Sequence, residues 1–158
     1  MYGHAWVHKH LDGLPEAEWE TPDVCGYWSV KDIMAHLASY ELILAEVLQS
    51  CVDPGPTPNL DEYVRLQGGD AYNAEQVTRR KTKSPEEILA EYDAAYERVN
   101  SYITRIPEGD LRQPGTIPWY GKEYSLDDLI VYMYYGHKRE HCAQIAVFQD
   151  TLNKKLPA

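Results

Sequence analysis

Apolar side chains return at three- and four-residue intervals along three stretches of the chain, the spacing that lines one face of an α-helix. After Ser29 they are Ile33, Leu37, Tyr40, Leu44, Val47 and Cys51. This stripe predicts an amphipathic helix of about six turns, ending before Asp53-Pro54-Gly55-Pro56. After Ser84 they are Ile88, Tyr92, Ala95, Tyr96, Val99, Tyr102, Ile103 and Ile106, stopped by Pro107 and Gly109. After Ser125 they are Leu126, Leu129, Ile130, Met133, Ile145, Phe148 and Leu152, with His137, His141 and Gln144 occupying places in the same stripe. Each stripe opens on a serine with an acid three residues on: Ser29 with Asp32, Ser84 with Glu87, Ser125 with Asp128. That pair can satisfy two orphan backbone N–H groups reciprocally, so all three are helix starts, and Pro85 fills a first helical position.

Weaker helical signals cover Tyr2 to Leu11 and Leu60 to about Lys83, the latter broken at Gly68-Gly69 with Asp70 as the expected restart cap. No stretch alternates long enough to make a sheet. Pro114, Gly115, Pro118 and Gly121 mark a connection from Pro107 to Tyr124 that is long for a bundle turn and reads as a pocket wall or a packed Ω-loop. The expected fold is all-α: one four-helix bundle domain over residues 1–158, with an extra short helical segment and a long loop before the last helix.

Composition narrows the function classes. Apolar residues are 44% and charged residues 25% of 158, the balance of an ordinary folded domain. A net charge of −10 argues against a phosphate-backbone partner, so no nucleic acid is expected. The basic group Arg79-Arg80-Lys81 with Lys83 reads as a solvated helix end rather than an anion site. No run of about 20 apolar residues is present to span a membrane, and Met1 to Leu11 lacks a signal-peptide pattern. Cytoplasm is the expected compartment. Cys25, Cys51 and Cys142 are an odd, sparse set, expected as free thiols, with Cys142 a buried structural one.

The histidines carry the chemistry. His137 and His141 stand one helical turn apart, near enough to share a divalent ion. With six histidines in the chain that spacing arises easily by chance, and His4 and His8 have it too. Position separates the pairs: His4 and His8 lie near a chain end and read as an incidental surface pair. His137 and His141 replace aliphatic residues in a stripe that should be buried, where an imidazole needs partners for its nitrogens. A tyrosine, Glu or backbone carbonyl could supply them, and so could a metal. His36, at the border of the Ser29 stripe, would complete a set of three imidazoles able to hold Zn²⁺, Ni²⁺ or Fe²⁺ with positions left open. Glu140 and Gln144 are candidates to hydrogen-bond a ligand's second nitrogen. Thr116-Ile117-Pro118-Trp119-Tyr120 is placed to cover an electrophile.

The segment Trp28-Ser29-Val30-Lys31-Asp32-Ile33-Met34-Ala35-His36-Leu37 resembles the Trp-Ser and His-Leu signature of the DinB-like superfamily of four-helix bundles. His137, His141 and Gln144 resemble its second signature, on the last helix. Tyr72-Asn73-Ala74-Glu75-Gln76 and Ser84-Pro85-Glu86-Glu87-Ile88 look like the branch named for ClbS and DfsB. The resemblance covers most of the chain, and the first helix is short for it. It implies a metal on the three histidines, a homodimer, and chemistry on small-molecule electrophiles, either hydrolysis or transfer to a low-molecular-weight thiol cofactor. No cluster of cations or amides that would hold such a thiol's carboxylates is legible near the histidines. The expected function is a metal-dependent detoxification or resistance enzyme; the alternative is a non-catalytic helical dimer that binds a metal or small ligand.

Overall fold

The computed structural model describes residues 2–155, and among them the named elements are helical. They run α1 (Tyr2–Leu11), α2 (Val30–Val52), α3 (Pro58–Arg65), α4 (Gly69–Arg79), α5 (Pro85–Ile103), α6 (Glu108–Leu111), α7 (Leu126–Val131), a π-helical turn (Tyr132–His137) and α8 (Lys138–Lys155). A 3₁₀ turn, Glu16–Glu18, follows α1, and an isolated bridge joins Cys25 to Trp28 just before α2. None of the helices is long and apolar enough to cross a membrane.

All three serine boxes form as expected. Ser29, Ser84 and Ser125 accept from the backbone N–H three residues on, and Asp32, Glu87 and Asp128 bind back to the serine N–H. Since the cap removes an orphan donor at little cost, Ser84→Ala should lower the unfolding free energy by about 1 kcal/mol, while Ser84→Gly costs only a few tenths. Urea denaturation of the two variants checks this; equal midpoints for wild type and Ser84→Ala would remove the cap from the account.

α2 is the central helix and packs along α5, while α1 packs along α8. The core has two parts. One gathers Val7, Leu11, Ile33, Leu37, Ile88, Tyr92, Cys142 and Ile145; the other gathers Leu44, Leu48, Tyr72, Val99, Ile117, Leu126, Leu129 and Met133. Because α2 is covered nearly all round, its polar residues need partners inside the protein. Glu46 accepts from the Asn59 side chain and from the Leu60 N–H at 2.8 Å, which caps α3. Glu41 pairs with Lys138 at 2.6 Å, each side chain 2% exposed.

Several expectations need correcting. The basic group at the end of α4 is solvated only in part: Arg79 and Lys81 are exposed, but Arg80 is buried, donating to Glu91 and to Gln76 Oε1, while Arg79 bridges to Glu62 and Lys83 to Glu91. These pairs tie α3, α4 and α5 together. The cap of α4 is Gly68 rather than Asp70. Gln67, Gly68 and Gly69 have φ of 59°, 62° and 59°, and a Cβ on Gly68 would lie 2.7 Å from the Tyr63 ring. The glycine therefore lets Tyr63 fold back over the turn. The helix after Ser125 is not uniformly α, since the π turn interrupts it.

Candidate metal centre

The three histidines expected to act together do meet. His36 comes from α2, His137 ends the π turn and His141 lies in the first turns of α8. All are buried, and their candidate ligand atoms lie within 4.8 Å of one another. His36 Nε2 is 2.7 Å from His137 Nε2, and His141 Nε2 is 3.2 Å from the same atom. Three nitrogens of one kind thus converge on one point between two helices.

The environment keeps the rings uncharged. Burial, reinforced by the neighbouring histidines, depresses His36 to about 2. Burial, then His141 and Lys138, depresses His137 to about 3. Burial also lowers His141, against the hydrogen bond it donates to Gln144. Near neutral pH the set is three neutral imidazoles, the form that ligates a metal.

Counting protons shows what such a set lacks. His141 Nδ1–H donates to Gln144 Oε1 at 2.8 Å, which leaves His141 Nε2 as a lone pair facing His137. A neutral His137 carries at most one proton on Nε2, and that proton can serve only one of the two nitrogens facing it. The rings cannot satisfy one another, whereas one divalent cation would satisfy all three lone pairs. The donor set therefore fits a first-row metal, and imidazole alone does not choose among them. The buried His36 Nδ1 makes no hydrogen bond within ordinary limits. The Asn73 amide is near enough to favour the ring's charged form slightly, and its oxygen accepts from the Tyr40 hydroxyl at 3.2 Å.

Of the two residues expected to hydrogen-bond a histidine's second nitrogen, Gln144 meets His141 Nδ1. Glu140 is exposed and acts on His141 through its charge. The Cys25 thiol, which sequence reasoning left without a role, lies beside Gln144, and burial raises its pKa. Cys142 is fully buried, with burial pushing it up to about 11. All three cysteines are free thiols.

Aromatic rings wall the site. Trp28 and Tyr40 lean on His36 with centroids 5.0 and 4.6 Å away, and Tyr132 stacks on His137 at 5.7 Å with an interplanar angle of 3°. Beyond Tyr40 and Tyr132 is a pocket of about 20 Å³, shared with Tyr63, Trp119, Tyr120 and Met133. A volume that small holds about one water. It lies next to an outer recess of about 300 Å³ lined by Tyr63, Val64, Gln67, Trp119 and Tyr120. The long connection before α7 is thus a pocket wall, its base closed by Gly115 N–H donating to Tyr124 O at 2.9 Å. Sequence reasoning had singled out Trp119 and Tyr120 but missed Tyr40, Tyr63 and Tyr132, which come from three other segments.

A family model described as the DinB superfamily matches residues 4–145, from α1 into α8. Among curated proteins and solved structures none matches. The match spans most of the chain and all three histidines; the chain belongs to the DinB superfamily.

Proposed function

From that membership and the convergence of three neutral imidazoles, we propose that the chain is a metal-dependent enzyme of small-molecule detoxification or resistance, of hydrolase or thiol S-transferase type. The observation that carries this reading is the Nε2 cluster of His36, His137 and His141, which protons cannot satisfy. A divalent ion held there would supply the positive charge that lets a water or a thiol give up its proton near neutral pH. Gln144 fixes the tautomer of His141, and the half-buried rings of Trp28 and Tyr40, with Tyr132 stacked on His137, stand between the ligands and bulk water. Burial holds Tyr40 well above the usual phenol range, so its hydroxyl stays protonated and donates to Asn73. An apolar or aromatic electrophile would lie in the outer recess and reach the rings by displacing Trp119 or Tyr120, because the inner pocket is too small for it.

Among the described residues no carboxylate hydrogen-bonds the three rings. That favours a second reading, a non-catalytic helical dimer that binds a metal or small ligand. Exposed Val131, Tyr132 and Tyr135 give such a dimer an apolar surface.

The test is metal content and turnover together. His36→Ala, His137→Ala and His141→Ala should each weaken metal retention more than Gln144→Ala, whose loss as an outer partner is worth about 10–100-fold. A panel of epoxides, halides and cyclopropanes, with and without thiols, should then give turnover that the three histidine variants lose. Wild-type protein without a tightly held ion here, and variants as stable as wild type, would refute the metal centre. Metal without turnover would favour the binder.

A further inference from the structure

His4 and His8 are not the incidental surface pair that their place near a chain end predicts. Both Nε2 atoms point at one oxygen of a residue on another helix: His4 lies 2.8 Å and His8 2.7 Å from Asp93 Oδ1 in α5. The three ligand atoms lie within 4.8 Å of one another, and all three residues are half-buried. The His4 ring is clamped flat on Tyr96, with centroids 3.8 Å apart and planes 11° from parallel, and lies nearly parallel to Tyr92. His8 stands off the His4 ring at 4.6 Å and 54°, so the two imidazoles open as a wedge toward the carboxylate.

We infer that His4, His8 and Asp93 form a second divalent-metal site, distinct from the three-histidine centre, that fastens α1 to α5. Two imidazoles one turn apart and a facing carboxylate are a donor set for first-row divalent ions, and partial exposure leaves positions for water. Each ligand atom needs to withdraw only slightly from the present contacts for an ion to sit at about 2.0–2.2 Å from all three. Burial keeps His4 below its ordinary pKa, so it is neutral and ready to ligate at neutral pH. The chain's net charge of −10 draws cations toward the whole molecule. Asp93 supplies the negative charge that the other centre lacks, so this site should accept harder ions than three imidazoles do.

Zinc stoichiometry measured by equilibrium dialysis on untagged, full-length protein tests the inference. Wild type should hold one more ion per chain than Asp93→Asn or His8→Gln, both partly exposed positions where replacement leaves the core intact. Zinc should also raise the melting temperature of wild type more than that of Asp93→Asn. A triple variant, His36→Gln with His137→Gln and His141→Gln, should keep this one ion. If the three-histidine centre is wrong and this site right, wild type holds one ion and Asp93→Asn none. Equal stoichiometry in wild type, Asp93→Asn and His8→Gln, or a difference seen only at millimolar zinc, overturns the second site.

Discussion

Glu41→Leu should lower the unfolding free energy by about 3–5 kcal/mol, because it removes the carboxylate that faces the Lys138 ammonium in the core. The Nζ lies 2.6 Å from Glu41 Oε2, with both side chains 2% exposed. Burial pushes the Lys138 pKa down and the Glu41 charge holds it up. The rings of Tyr92 and Tyr96 lie 5.2 and 5.9 Å from the same nitrogen, a weaker cation–π support that a lone ammonium would still have. Replacing both partners, Glu41→Leu with Lys138→Met, should recover most of the loss, since desolvating an ion pair costs about what the pair returns. Chemical denaturation of the single and double variants is the measurement. A single-variant loss below about 1 kcal/mol would place the pair with surface bridges, which contribute little. The pair joins α2 to α8 next to His137, so it also bears on how firmly the ligand helices are held together.

Metal-free protein should lose stability steeply as pH falls from about 6.5 to 5. His36 and His137 titrate at about 2 and about 3 in the folded chain but near the ordinary histidine value when unfolded. Between those values the unfolded chain binds the extra protons, so acid favours unfolding. The stability is fully present above the unfolded pKa and drains away as pH drops toward the folded ones. Each such histidine contributes a slope of about 1.4 kcal/mol per pH unit. Urea titrations at several pH values in this window, before carboxylates protonate, read it directly. His36→Gln or His137→Gln should remove about one histidine's worth of slope; an unchanged slope would mean the rings are not buried neutral.

What the sequence disclosed followed physical range. Caps are settled within four residues, so Ser29, Ser84 and Ser125 were legible, as were the stripes they open. The three-histidine set was legible because two of its members interrupt an apolar stripe and the third borders one. Pairings across helices were not. Nothing near His4 or His8 in the chain points to Asp93, and Glu41 and Lys138 are nearly a hundred positions apart. Arg80 looked solvated because its partner Glu91 lies on the next helix. Glu140 and Gln144 were equal candidates until the helix direction placed only Gln144 against His141.

The π turn left a subtler trace. Leu129, Met133 and His137 are buried and follow one another by four residues, after which Lys138, His141, Cys142 and Ile145 resume the three- and four-residue spacing of an ordinary helix. In a regular α-helix each such step drifts about 40° round the axis, so Leu129 to His137 would drift through about 80°. A wider turn takes more residues per revolution and absorbs much of that drift. The two successive four-residue steps across Met133 are the trace of that turn, hidden because each alone looks helical.

The segment from Tyr132 to His137 thus acts as a phase setter, and its winding is constrained as well as its residues. Were the segment to relax to a regular α-helix at unchanged length, everything after it would turn by about 100° relative to α7. His137 and His141 would keep their mutual spacing yet swing together away from His36, and Cys142 and Ile145 would leave the core with them. Relatives in which this stretch is shorter by one would reach nearly the same phase with a regular α-helix, since the wider turn takes more residues per revolution, and are expected to keep the three-histidine centre.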